Sequence, residues 1–171
     1  LQDEMLRLFG MRSQLRPSAR LPLLEMAMPA LRQLSPKQRE VFLNQVQTLV
    51  ESDNRTTIFE FAITNLLRRS LLLSDEPNRK EARYYAFNPL RNACLLVLSA
   101  LSRIGAENED FAAAAFLAGA RKLPSSGAPL KEPLPAEACG FSRLGEALDQ
   151  LSQASPVLKQ RIVDAFAHCV L

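Results

Sequence analysis

The sequence predicts an all-α protein, a single bundle of about seven to nine helices. Apolar residues recur with helical spacing along nearly the whole chain, and no stretch shows sustained alternation with a period of two residues. Hydrophobic residues make up 47% and charged residues 23% of the chain, as is usual for a folded globular protein. Serine-proline pairs, prolines and glycines stand where the helical patterns start and stop.

The first part of the chain contains four predicted helices. Pro17 ends the first of them, because proline restricts the residue before it. Pro29, inside the second, predicts a kink or an early stop. Ser35 followed by Pro36 is a favourable start for the third, with serine as the N-cap and proline in the first helical position. The four cover about residues 1–14, 20–33 and 36–52, and a stretch whose apolar face runs from Phe59 to Leu71.

The second part contains four more, at about residues 90–104, 108–121, 141–153 and 156–171. Gly105 is well placed to stop the first of these. The helix at 108–121 is rich in alanine, and small side chains let helices pack closely, so we expect it near the centre. The segment 122–135 contains four prolines and is the clearest loop or linker. We therefore expect one domain, residues 1–171, with this Pro-rich loop between its two parts.

The last helix resembles the third. Residues 31–50 aligned with residues 151–170 pair Ser35-Pro36 with Ser155-Pro156. The apolar positions are matched as well, since Phe42, Leu43, Val46, Leu49 and Val50 fall on Ile162, Val163, Phe166, Cys169 and Val170. Two amphipathic helices can agree in this way by chance. The matched cap together with the matched apolar pattern favours an internal repeat.

Composition excludes several classes of partner. The net charge is only +3, the basic residues are spread out, and aromatic residues make up 6%, so the basic and aromatic surface of a nucleic-acid-binding protein is missing. No apolar run approaches the 18 residues or so of a membrane span. Three widely spaced cysteines predict free thiols in a reducing compartment. The chain starts at Leu1 without an initiator methionine, so we expect a fragment of a longer protein.

The stretch VESDNRTTIFE, residues 50–60, is the one candidate metal site. Asp53 and Glu60 are its possible ligands. The alternative is a capping box, in which Thr57 and Glu60 satisfy each other's backbone N–H groups at the start of a helix. An EF-hand is excluded, because positions 55, 58 and 64 have arginine, isoleucine and threonine instead of the required residues. The spacing favours the cap over the metal loop.

The chain lacks the residues for a zinc peptidase site. H-E-x-x-H needs two histidines one helical turn apart, whereas this sequence contains only His168. His168 and Cys169 are neighbours on a helix and point about 100° apart, so they do not form a nucleophile and base. We expect a buried thiol beside a surface histidine, no catalytic residue, and no cofactor in this chain.

Three stretches carry a family resemblance: RLPLLEMAMPALRQLSPKQREVFLNQVQTLVESDN, FEFAITNLLRR and SPVLKQRIVDAFAHCVL. They resemble the region that follows the catalytic domain of HtpX-like bacterial membrane zinc metallopeptidases, and this region is similar to the TerB-like helical domain of tellurite resistance. The resemblance covers about residues 21–171. It implies a metal-binding acidic turn at Asp53 and Glu60, although Asn54 stands where the family has glycine.

The resemblance also implies two functions. The first is a noncatalytic regulatory or protein-interaction domain on the cytoplasmic side of the inner membrane. Zinc would then belong to the upstream peptidase domain, which would be the partner. The second is a stand-alone metal-responsive stress module of the tellurite-resistance type.

Overall fold

Helices account for all the regular elements in the part of the chain that the structure describes. The structure is a computed structural model and describes residue 7 and residues 16–51, 57–72, 82–124 and 129–170. The α-helices are α1 (Arg20–Arg32), α2 (Pro36–Glu51), α3 (Ile58–Leu72), α4 (Arg91–Leu101), α5 (Glu109–Ala120), α6 (Phe141–Ser152) and α7 (Pro156–Val170). Short 3₁₀ helices cover Pro17–Ala19, Asn88–Leu90 and Ala136–Cys139. The predicted all-α class is confirmed.

The chain divides into two units. Unit 1 covers Leu1–Pro77 and contains α1 to α3, and unit 2 covers Asn78–Leu171 and contains α4 to α7. The boundary follows Pro77, whereas the Pro-rich segment 122–135 lies within unit 2 and has no helix in its described residues. A single domain over residues 1–171 stays a prediction. The helix expected at about 1–14 lies outside the described residues, apart from Arg7.

Unit 1 is built around one apolar cluster. Met28 of α1 and Leu67 and Leu71 of α3 are its buried members. Partly buried side chains from all three helices pack against them: Leu24, Leu31, Phe42, Leu43, Val46 and Ile63. Pro29 lies inside α1, which nevertheless continues to Arg32, so the early stop that the proline allowed is not found.

A buried arginine closes this cluster at one end. Arg39 of α2 is only 8% exposed. Its Nε donates to the carbonyl oxygen of Leu34 at 2.8 Å, and its two terminal nitrogens donate to those of Arg32 at 3.0 Å and Leu71 at 3.1 Å. Carbonyls at the C-terminus of a helix lack intrahelical donors and attract cations. Arg39 therefore caps the ends of α1 and α3 together.

One expected core residue of α2 lies outside the core. Leu49 is 73% exposed. The residues of α2 that pack against the cluster are Phe42, Leu43 and Val46, in the middle of the helix. Leu49 lies in the last turn of α2, beyond these contacts.

Unit 2 is organised around α4. Cys94 and Leu98 of this helix are fully buried. Gly119 of α5 lies so close to its neighbours that an added Cβ would be 2.8 Å from the Ala165 carbonyl oxygen and 2.8 Å from Leu98 Cδ2. The close packing expected of the alanine-rich helix is therefore found at Gly119, whereas the helix that contacts most other elements of unit 2 is α4. Gly105 has a φ of +78°, which explains why a glycine ends this turn after α4.

Two segments of unit 2 that are not helical are held against the rest of the unit by backbone and side-chain hydrogen bonds. The fully buried Ser99 hydroxyl accepts from the backbone N–H of Leu134 at 2.9 Å and donates to the carbonyl of Leu95 at 2.7 Å. Tyr84 forms an isolated parallel bridge with Ala154 in the turn between α6 and α7. Both attachments join segments that are far apart in the sequence.

The turn between α1 and α2 and the turn between α6 and α7 have matching hydrogen bonds. The hydroxyl of Ser35 accepts from the N–H of Gln38 at 3.4 Å, and that of Ser155 accepts from the N–H of Leu158 at 3.4 Å. The N–H of Gln33 donates to Ala30 at 3.1 Å, and the N–H of Gln153 donates to Gln150 at 3.1 Å. In each of these two pairs of hydrogen bonds, the donors are 120 residues apart, which is the offset between 31–50 and 151–170. A duplication remains a prediction.

The packed faces of the two aligned helices differ. α7 buries Leu158, Ile162, Ala165 and Cys169. Val163 and Val170, which the alignment placed in the core, are 57% and 56% exposed. The expectation of burial was wrong for these two valines, because α7 packs on α5 with a different flank from the one that α2 turns toward α3.

Candidate functional site

The start of α3 is the end of the predicted acidic stretch. The backbone N–H of Thr57 donates to Glu60 Oε2 at 2.8 Å, and the N–H of Glu60 donates to Thr57 Oγ1 at 3.2 Å. The Thr57 hydroxyl also donates to Glu60 Oε2 at 2.8 Å. These are the two reciprocal bonds of a capping box, with one additional bond between the side chains. Thr57 and Glu60 thus have a structural role that needs no metal.

A contact with α1 holds this end of α3 in place. The guanidinium carbon of Arg20 lies 5.5 Å from the centroid of the Phe59 ring, within the range of a cation–π interaction. Arg20 is the first residue of α1, and Phe59 lies in the first turn of α3. The position of Glu60 is therefore set both by its own cap and by the neighbouring residue's contact.

The metal site proposed for Asp53 and Glu60 stays a prediction. Asp53 lies outside the described residues. Glu60 is half-buried, and both bonds that it receives from Thr57 use the same oxygen, Oε2. A cation would have to approach through Oε1. Among the residues that the structure describes, no three side chains of histidine, cysteine, aspartate or glutamate come together as a metal-binding group.

The three cysteines are free thiols. Burial raises the pKa of Cys94 to about 12. Burial also raises the pKa of Cys169 and of Cys139, and for Cys139 the nearby Arg103 and Arg143 oppose the increase. A thiol reacts as a nucleophile in its ionised form, so all three are poorly activated at neutral pH.

His168 has a hydrogen bond within its own helix. Its Nδ1 lies 2.8 Å from the carbonyl oxygen of Asp164, and the side chain is exposed. The next residue, Cys169, is buried and its Sγ donates to the carbonyl of Leu98 at 3.7 Å. The two side chains thus have separate surroundings, as the helical geometry predicts.

A shallow groove of about 490 Å³ lies along the beginning of α2. Its lining is a mixture of apolar and polar side chains: Leu34, Ser35, Lys37, Gln38, Val41, Phe42 and Gln45. Lys37 is the one ionisable residue in this lining. The groove therefore offers shape and apolar contact but no pair of groups that could transfer a proton.

The sequence did not predict two buried contacts that hold the fold together, namely the helix cap by Arg39 and the bond of Ser99 to the loop at Leu134. Arginine in a helix that starts with K-Q-R-E is typical of a solvated face. Its burial depends on other parts of the chain, namely the helix ends at 32–34 and 71–72, whose last carbonyl groups need hydrogen-bond donors. For Ser99, a serine within an otherwise apolar helix indicates a buried polar contact.

Within the described ranges, no helix is both long enough and apolar enough to cross a bilayer. Comparison of the chain with family models, with curated proteins and with solved structures finds no match in any of the three.

Proposed function

We propose that this chain is a noncatalytic regulatory or protein-interaction domain appended to a membrane-associated zinc metallopeptidase. Its partner would be the upstream peptidase domain or another protein, on the cytoplasmic side of the inner membrane. Zinc would be bound by the peptidase domain. The proposal starts from the resemblance of residues 21–171 to the region that follows HtpX-like peptidase domains.

The observation that carries the noncatalytic role is the placement of the residues that could do chemistry. The sequence contains a single histidine, and its Nδ1 is engaged with the carbonyl of Asp164. Cys94 and Cys169 lie in the core with raised pKa values. These groups act in packing and helix bonding, which supports binding over catalysis.

The activity test uses the purified chain with casein, with and without added zinc. We expect no cleavage, because one histidine does not form a two-histidine zinc site. Cleavage that persists through repurification and disappears in His168→Ala would contradict the noncatalytic role.

The proposed context has its own test in the reading frame on both sides of residues 1–171. We expect an upstream H-E-x-x-H motif together with apolar segments of about 20 residues. A frame that lacks both would contradict the peptidase context and favour the second candidate.

The second candidate is a stand-alone metal-responsive stress module of the tellurite-resistance type. The half-buried Glu60 carboxylate, with Thr57 bound only to Oε2, favours it, because Oε1 can still face a cation. Calorimetric titration with calcium, magnesium or zinc tests it. Saturable binding at micromolar metal that Asp53→Asn abolishes and Thr57→Ala retains would support this candidate, and heats equal to those of dilution would exclude it.

A further inference from the structure

We draw no further inference here: the strongest candidate, the exposed apolar face of α1 formed by Leu23, Met26, Ala27 and Ala30 on the side away from the unit 1 cluster, carries none because nothing in the structure shows what covers it.

Discussion

Replacing Gly119 with alanine tests the packing at the centre of unit 2. The added Cβ would meet the Ala165 carbonyl oxygen at 2.8 Å, Leu98 Cδ2 at 2.8 Å and Cys169 Cβ at 2.9 Å. Leu98 can rotate, but the carbonyl of Ala165 belongs to the backbone of α7. The two helices α5 and α7 would have to move apart to accept the methyl group.

The matched control is Gly145→Ala in α6. Apart from its chain neighbours and the backbone of its own helix, a Cβ at Gly145 would meet no heavy atom within 4 Å. Both glycines lie inside helices, so both substitutions gain about 0.5–1 kcal/mol from the better helix propensity of alanine. Gly145→Ala should therefore stabilise unit 2 by about this amount.

The difference between the two variants isolates the crowding at Gly119. Insertion of a methylene-sized group into a packed core costs about 1–3 kcal/mol. Gly119→Ala should thus be less stable than Gly145→Ala by about 1–3 kcal/mol, because the propensity gain is common to both. Compared with the parent chain, Gly119→Ala should have a free energy of unfolding lower by about 1–2 kcal/mol. This value is the upper part of the crowding cost minus the gain in helix propensity.

Tyrosine fluorescence during urea unfolding measures this difference in unit 2 alone. The chain contains two tyrosines and no tryptophan, and both tyrosines, Tyr84 and Tyr85, lie in unit 2. Equal midpoints for Gly119→Ala and Gly145→Ala, with equal slopes, would refute the close approach of α5 to α7.

Three other substitutions or modifications test the account at separate places. Thr57→Ala should lower the free energy of unfolding by about 0.5–2 kcal/mol through loss of the N-cap, measured by circular dichroism; an unchanged melting temperature would contradict the capping assignment. Arg39→Met should cost about 1–3 kcal/mol, because three carbonyls lose a charged donor, and Arg39→Lys should recover part of this loss in the same melt; equal stability of Arg39→Met and the parent chain would exclude the cap. With Ellman's reagent at neutral pH, Cys139 should react first and the buried Cys94 and Cys169 only after unfolding; simultaneous reaction of all three thiols in the folded chain would refute their burial.

Much of the fold could be predicted because the residues that start and end the helices are close to those positions in the sequence. Ser35 and Ser155 accept hydrogen bonds from the first turns of α2 and α7, as their serine-proline pairs indicate. Gly105 has the positive φ that favours glycine. Such signals depend on a few neighbouring residues, so they do not need knowledge of the rest of the chain.

The choice of buried face could not be predicted in the same way. Leu49, Val163 and Val170 belong to helical apolar patterns but are exposed. Leu49 lies beyond the residues of α2 that pack against the cluster, and α7 packs on α5 with a flank other than that of its two valines. A period of 3.6 residues identifies the apolar flanks and does not say which helix covers each of them. The contacts of Arg39 depend on two helix ends that are 7 and 32 residues away, which no local pattern reveals.

At the acidic turn, the contacts between residues close in sequence could again be predicted. The spacing of Thr57 and Glu60 indicated the reciprocal bonds that the structure contains. Nothing in that spacing indicated the stacking of Arg20 over Phe59, since this contact joins α3 to α1.

The proposal that this chain is a noncatalytic domain appended to a membrane-associated zinc metallopeptidase can be checked in the reading frame on both sides of residues 1–171. We expect an upstream H-E-x-x-H motif together with apolar segments of about 20 residues. A frame that lacks both features would contradict the proposal.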